Sequence, residues 1–220
     1  MDDGGLPCGS ASPAYLYRAC DIAFVYDSTI TGRGWDSVVR AGAYDWCYVN
    51  DPYTGTSDFC WEDYTYNGGL PTVGIYGNYG VNVTAADLGG YNSQGFIILG
   101  EEGYSYTNAL YAGNDFYGLV HGYVEISTDS AISWYVNSSQ GSYTVPSGYI
   151  DMQTTVTHEL GHGLGLNHPV QTDTGPGTPV MGCVENSGIY NHGSSYDFNG
   201  MRYIYDSYNS AWGTPVTPPC

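Results

Sequence analysis

The first half of the chain alternates between short apolar runs and longer polar or glycine-rich stretches. The run at 22–26 is rich in β-prone residues and is bounded by aspartates, so we predict a buried strand there. Trp35, Val38 and Val39 then recur at helical spacing, which predicts an amphipathic helix over 35–46. Many α/β domains open with a strand and a helix, so this pattern alone does not select a fold.

Further apolar runs predict strands at 73–76, 95–100, 119–126 and 132–136. Residues 47–72 are aromatic and acidic with few periodic apolar positions, which indicates an insertion. The proline-rich tail at 213–220 is expected to be a terminal strap, and we find no internal repeat.

A second helix is predicted from Asp151 to Leu164. The Asp151 carboxylate suits the free amide groups and the positive dipole end at the start of a helix. Within this helix His158 and His162 are four residues apart, so their imidazoles leave the same face one turn apart.

This spacing allows two imidazole nitrogens to hold one zinc ion, each at about 2.0–2.1 Å. Glu159 follows the first histidine and can reach the open zinc position, where a water would sit. Gly165 can take a left-handed conformation, end the helix and turn the chain so that His168 supplies a third ligand. The chain has only five histidines, so packing or solvation of helix histidines is a poor explanation for this grouping.

Residues 158–168 read H-E-x-x-H-x-x-G-x-x-H, which resembles the long motif of the metzincins, a family of zinc endopeptidases. Val180-Met181-Gly182 resembles the methionine turn that completes this motif in the family. The segments 151–156 and 197–205 are similar to the start of the active-site helix and to the C-terminal helix of one subfamily, the matrixins. The resemblance is strong over about residues 150–206 and weaker upstream.

Two positions depart from the matrixin pattern or from that of other subfamilies. Pro169 follows the third histidine as in serralysins, where matrixins usually carry serine. Cys183 stands where astacins and serralysins place a tyrosine near the zinc. The resemblance is therefore to a matrixin-like metzincin, with the subfamily left open.

The resemblance implies an α+β fold. It comprises a twisted, mostly parallel sheet with an antiparallel edge strand, two long helices, and a small irregular C-terminal lobe with a C-terminal helix. It divides a single catalytic domain, 1–220, into an upper lobe at 1–168 and a lower lobe at 169–220. The segment 104–111 is expected to be the edge strand along which a substrate aligns through main-chain hydrogen bonds. Residues 184–195 are expected to wall the pocket beyond the scissile bond.

The resemblance also assigns roles. His158, His162 and His168 hold one catalytic zinc, Glu159 is the general base, and Met181 gives the metal site an apolar floor.

Four further residues have weaker roles. Tyr190 and Tyr196 are candidates for an additional oxyanion donor on position alone. His121 and His192 are expected to be ordinary histidines rather than ligands, and the separate structural zinc pattern of matrixins is not found.

The chain carries four arginines, no lysine and 22 acidic residues, for a formal net charge of −18. This balance argues against binding to nucleic acid and against docking on an anionic membrane. Acidic loops such as 58–63 and 101–102 leave calcium binding open, although none has the ligand spacing of an EF-hand. No apolar stretch approaches the length of a transmembrane helix.

Six cysteines indicate three disulfides formed in an oxidising compartment, so we expect a secreted, extracellular protein in its mature form. The connectivity stays open, and the favoured pairs are Cys8–Cys20, Cys47–Cys60 and Cys183–Cys220. An alternative is that Cys8 blocks the zinc, as the cysteine switch of matrixins does.

These observations predict a monomeric zinc metalloendopeptidase that hydrolyses polypeptides. Two alternatives are a zinc-dependent hydrolase of a non-peptide bond and a non-catalytic, zinc-stabilised binding protein. The presence of Glu159 counts against the second, because a structural site does not need a general base.

Overall fold

The computed structural model describes residues 23–46, 62–65, 80–91, 97–111, 114–164, 166, 168, 179–182, 188 and 197–198.

The first described elements follow the predicted strand and helix closely. Strand β1 (Ala23–Tyr26) ends in two buried side chains, those of Val25 and Tyr26. A short helix, α1 (Ser28–Thr31), was not predicted; the Asp27 carboxylate caps it by accepting the Thr29 N–H at 2.8 Å. The predicted amphipathic helix is confirmed as α2 (Asp36–Trp46), which buries Val38, Val39 and Trp46.

Four further strands complete a five-stranded sheet with β1. They are β2 (Glu62–Thr65), β3 (Gly80–Ala86), β4 (Gly100–Tyr111) and β5 (Asn114–Ser127). The strand order is β2-β1-β3-β5-β4, and every pairing is parallel except that of β4 with β5. The sheet is therefore mostly parallel with one antiparallel edge strand, as the resemblance implied.

The predicted edge strand at 104–111 forms the C-terminal two thirds of β4, at the edge of the described sheet. The prediction at 119–126 is confirmed within the longer β5. The strand predicted at 95–100 is wrong over its described part, where Ile97 makes only an isolated bridge to Tyr91 and β4 begins at Gly100. The Ile98 N–H donates to the Gly90 carbonyl at 2.8 Å instead of joining the ladder of the sheet.

One predicted strand is shorter than expected, and another lies outside the described residues. The strand predicted at 132–136 shortens to β6 (Trp134–Tyr135), which pairs in parallel with β7 (Ile150–Asp151). The strand predicted at 73–76 lies outside the described residues, as does most of the predicted insertion except β2.

Helix α3 (Met152–Gly163) confirms the second predicted helix, and every one of its residues is buried. The predicted cap is confirmed as well, because the Asp151 carboxylate accepts the N–H and the hydroxyl of Thr154, both at 2.8 Å. The Tyr143 hydroxyl donates to the same carboxylate at 2.8 Å. A buried acid with three donors therefore fixes the start of α3.

Helix α3 packs against α2 and against the sheet. The core at this junction consists of Val38, Val39, Trp46, Val81, Val83, Val124, Ile126, Met152, Val156, Leu160 and Leu164. The two helices approach closely at Gly42, where a Cβ would lie 2.7 Å from Val156 Cγ1. Trp46 Nε1 donates to the Thr157 carbonyl at 2.9 Å, which locks the C-terminal end of α2 to the middle of α3.

The division into lobes at 168/169 stays a prediction, since few residues beyond it are described. Of the predicted C-terminal helix, Asp197 and Phe198 are described and are helical. In the described residues, no helix combines the length and apolar character needed to cross a membrane.

Replacing Asp151 with alanine is expected to lower the free energy of unfolding by about 2 kcal/mol, the upper end for a lost helix cap, because the carboxylate is buried. The matched control is Asp27→Ala at the exposed cap of α1, with an expected loss of about 0.5 kcal/mol. Urea unfolding measures both, and equal losses would contradict a special role for the buried cap.

Candidate metal centre

Three histidine side chains converge at one end of α3. His158 and His162 leave the helix one turn apart, and His168 returns to them from the segment that follows. The Nε2 atoms lie 2.9 Å apart for His158 and His162, and 3.1 Å from each of these to His168. All three rings are buried, so the sequence motif assembles as a compact cluster of nitrogens.

Backbone carbonyls fix the tautomers of the two helix histidines. Nδ1 of His158 lies 2.7 Å from the Val180 carbonyl, and Nδ1 of His162 lies 2.7 Å from the Leu166 carbonyl. A carbonyl only accepts, so each Nδ1 must be the protonated nitrogen that donates. In the neutral ring Nε2 then carries the lone pair, which points into the cluster.

Burial keeps the rings of His158 and His168 neutral. It lowers the pKa of His158 well below its ordinary value, and the neighbouring His162 and His168 lower it further. Burial also lowers the pKa of His168 to about 4. At neutral pH His158 and His168 are therefore uncharged, the form of the imidazole that binds a metal ion.

The donor set fits a zinc-like ion. Tetrahedral coordination at about 2.0–2.1 Å separates ligand nitrogens by about 3.3 Å, close to the separations of 2.9–3.1 Å seen here. Lone pairs facing one another across this distance repel, and a bound cation removes that repulsion. Imidazole nitrogens are ligands that suit zinc, and the carbonyls behind His158 and His162 are the partners that metal-binding histidines normally have.

Met181 lies in a tight turn that packs against α3. The Gly182 N–H closes the turn on the Pro179 carbonyl at 3.1 Å, and Met181 is buried. A Cβ at Gly161, between the two helix histidines, would collide with the Met181 sulfur. The methionine therefore packs directly against α3, and its role as an apolar floor for the metal stays a prediction.

Asp197 anchors this turn, a role that the sequence analysis missed. Its buried carboxylate accepts the N–H of Val180 at 3.0 Å and that of Met181 at 3.2 Å. The aspartate was expected only as the first residue of a C-terminal helix. Its distance along the chain from the turn leaves no local pattern that could have revealed the contact.

The Glu159 side chain is 1% exposed and faces the start of the edge strand. A Cβ built on Gly100 would lie 2.5–2.7 Å from Cγ, Cδ and Oε1 of this glutamate. The Glu159 carboxyl group thus lies at the contact between β4 and α3. Glu159 itself directly follows His158, the first histidine of the cluster.

Several candidates lie outside the described residues: Gly165, Pro169, Cys183, Tyr190, Tyr196, His192 and all six cysteines. His121 lies in β5, in register with Gly80 of β3 and Ser105 of β4. Among the described side chains, the three histidines are the one group arranged to hold a metal, so calcium binding gains no support.

No family model matches the chain. Part of it is similar to serralysin C of Dickeya chrysanthemi, with 38% identity over 71 residues. The matched part is 32% of this chain and 14% of that serralysin, so the chain spans only a small share of its relative. Serralysins are metzincins, so this similarity agrees with the three-histidine cluster in suggesting a metal-dependent protease.

The metal-free protein is expected to lose stability as the pH falls from 7 towards 4. The folded-state pKa of His168 is about 4, below the value of about 6.5 in the unfolded chain. Between these two pKa values the unfolded state binds more protons than the folded state. The contribution of His168 to the free energy of unfolding is therefore complete above pH 6.5 and is lost on acidification, by up to about 1.4 kcal/mol per pH unit.

The measurement is the free energy of urea unfolding at pH 7, 6 and 5 for the metal-free wild type and for His168→Gln. Carboxylates titrate in both proteins, whereas the glutamine cannot take up the proton. A shallower pH dependence is expected for the variant, and parallel curves would contradict the assignment.

Proposed function

We propose that the protein is a secreted zinc metalloendopeptidase of the metzincin type. The observation that carries this proposal is the cluster of three buried histidine Nε2 atoms, 2.9–3.1 Å apart. Two of these histidines lie on the helix that also bears Glu159, and the third follows that helix. The partial similarity to serralysin C supports the peptidase class. Secretion, the disulfides, the two lobes and the monomeric state remain predictions from the sequence.

In this proposal His158, His162 and His168 hold the zinc ion. When bound, zinc supplies a Lewis acid that brings the pKa of a coordinated water towards neutrality and polarises the scissile carbonyl. Glu159 accepts the proton of the attacking water and returns it to the leaving amine. The buried surroundings of its carboxyl strengthen the electrostatic interactions on which this proton transfer depends.

The edge strand β4 gives a polypeptide a place to bind. It is the last strand of the described sheet, and its first residue contacts the Glu159 side chain. A peptide that pairs with this edge would use main-chain hydrogen bonds, which are available whatever its side chains are. An extended polypeptide is therefore the substrate class that we propose.

Glu159→Ala is expected to retain one zinc per chain and to lose casein hydrolysis by about 10²–10⁴-fold, because the general base is removed while the three ligands stay. His162→Ala is expected to lose both zinc and activity. Zinc content by elemental analysis and casein cleavage with and without a chelator are the measurements.

Glu125→Ala on β5 serves as the carboxylate control and should keep both properties. Wild-type protein that binds no zinc would overturn the proposal. Zinc binding without any hydrolysis would favour a binding protein, and chelator-sensitive cleavage of esters but not of peptides would favour another hydrolase. Full activity of Glu159→Ala would refute the role of that glutamate.

A further inference from the structure

Gly100 lies against the Glu159 side chain without room for a side chain of its own. A Cβ at this position would be 2.5 Å from Glu159 Cγ, 2.7 Å from Cδ and 2.7 Å from Oε1. Real Cβ atoms essentially never approach other heavy atoms within 3.0 Å. The glutamate therefore occupies the space that any other residue at position 100 would need.

The requirement for glycine at this position is spatial rather than conformational. Five described glycines have a positive φ, the region that favours glycine, and Gly100 is not among them. An L-residue could thus adopt its backbone angles. The three heavy atoms nearest to a Cβ at this position all belong to Glu159, so this glutamate is the first obstacle to a side chain.

The backbone of β4 is held in place at this point. The Leu99 carbonyl accepts the Ser127 N–H at 2.9 Å, and Gly100 pairs with Ile126 across the antiparallel ladder. The side chains of Leu99, just before β4, and of Ile126 in β5 are both buried. The start of β4 cannot withdraw from α3 without breaking this ladder and exposing apolar side chains.

The backbone of α3 is held equally well beside Glu159. The preceding residues are fixed by the Trp46 Nε1 bond to the Thr157 carbonyl at 2.9 Å and by the His158 contact with the Val180 carbonyl at 2.7 Å. With both backbones held, an added Cβ is accommodated by rotation of the Glu159 side chain. The carboxyl group would then leave its place.

We propose that Gly100 is a positioning residue for the Glu159 carboxyl group. The inference rests on the proposed function, in which that carboxyl is the general base. In the proposed function β4 binds the peptide substrate, and Gly100 is its first residue. Because Gly100 has no side chain, the Glu159 carboxyl group can lie against the strand, and this fixes its position relative to a peptide paired with β4. A methyl group at position 100 is enough to move the Glu159 carboxyl group away from the backbone of β4.

The first test compares Gly100→Ala with wild type in casein-derived peptide cleavage. The variant is expected to bind one zinc per chain, to keep KM within about twofold and to lose about 10²-fold in kcat, the scale for a displacement of about 1 Å at a reacting group. Unchanged kcat would overturn the proposal, as would a loss confined to KM.

Gly42→Ala is the matched control. Its Cβ would lie 2.7 Å from Val156 Cγ1, so it crowds the same helix from the side of α2 without touching the carboxyl group. It is expected to lower the urea midpoint while leaving kcat per zinc-loaded molecule within about twofold. An equal loss of kcat in both variants would show a general disturbance of α3 and overturn the positioning role.

A second test needs no activity and separates this proposal from the proposed function. In the metal-free protein, Gly100→Ala is expected to lower the urea midpoint in the wild-type background but not in Glu159→Ala, where the crowded side chain is gone. Gly42→Ala should lower it equally in both backgrounds. If the wild type cleaves no peptide, the proposed function fails, and the comparison of urea midpoints in the two backgrounds alone tests the role of Gly100. Non-additive effects of Gly100→Ala and Glu159→Ala support the positioning of Glu159 by Gly100. Additive effects overturn it.

Discussion

The complete burial of α3 is the constraint on which the rest of the structure depends. A buried helix normally carries apolar side chains, whereas this one carries two histidines and a glutamate in the middle of the protein. Buried polar groups are costly unless hydrogen bonds or ions satisfy them. The carbonyls of Val180 and Leu166 meet this need for the two rings. Much of the surrounding chain therefore serves to make a polar helix tolerable in the core.

The sequence predicted the elements whose signals are local. The helical spacing of Val38 and Val39 identified α2, and Asp151 identified the start of α3 because a helix cap depends on residues three positions apart. The histidine motif likewise lies within eleven residues, so its convergence could be predicted without knowledge of the fold. The antiparallel edge strand came from the resemblance to metzincins, since no local pattern gives the order of strands.

The features that were missed depend on contacts between distant segments. An apolar run such as 97–99 does not reveal whether a neighbouring strand is available to pair with it, and here the Ile98 N–H bonds to Gly90 instead. Asp197 and Gly100 looked unremarkable because their roles come from residues far away in the sequence. Glycine is especially uninformative in this respect, since a lack of side chain becomes meaningful only when the neighbouring atoms are known.

The turn at Met181 has a consequence for the order in which the protein matures during synthesis. The carbonyl that orients His158 belongs to Val180, 22 residues further along the chain, and the carboxylate that holds this turn lies another 17 residues on. Helix α3 therefore leaves the ribosome well before the residue that completes the surroundings of its first ligand. A nascent or truncated chain that stops short of Asp197 would lack this support for the site, which delays full metal affinity until Asp197 has been made and has reached the turn.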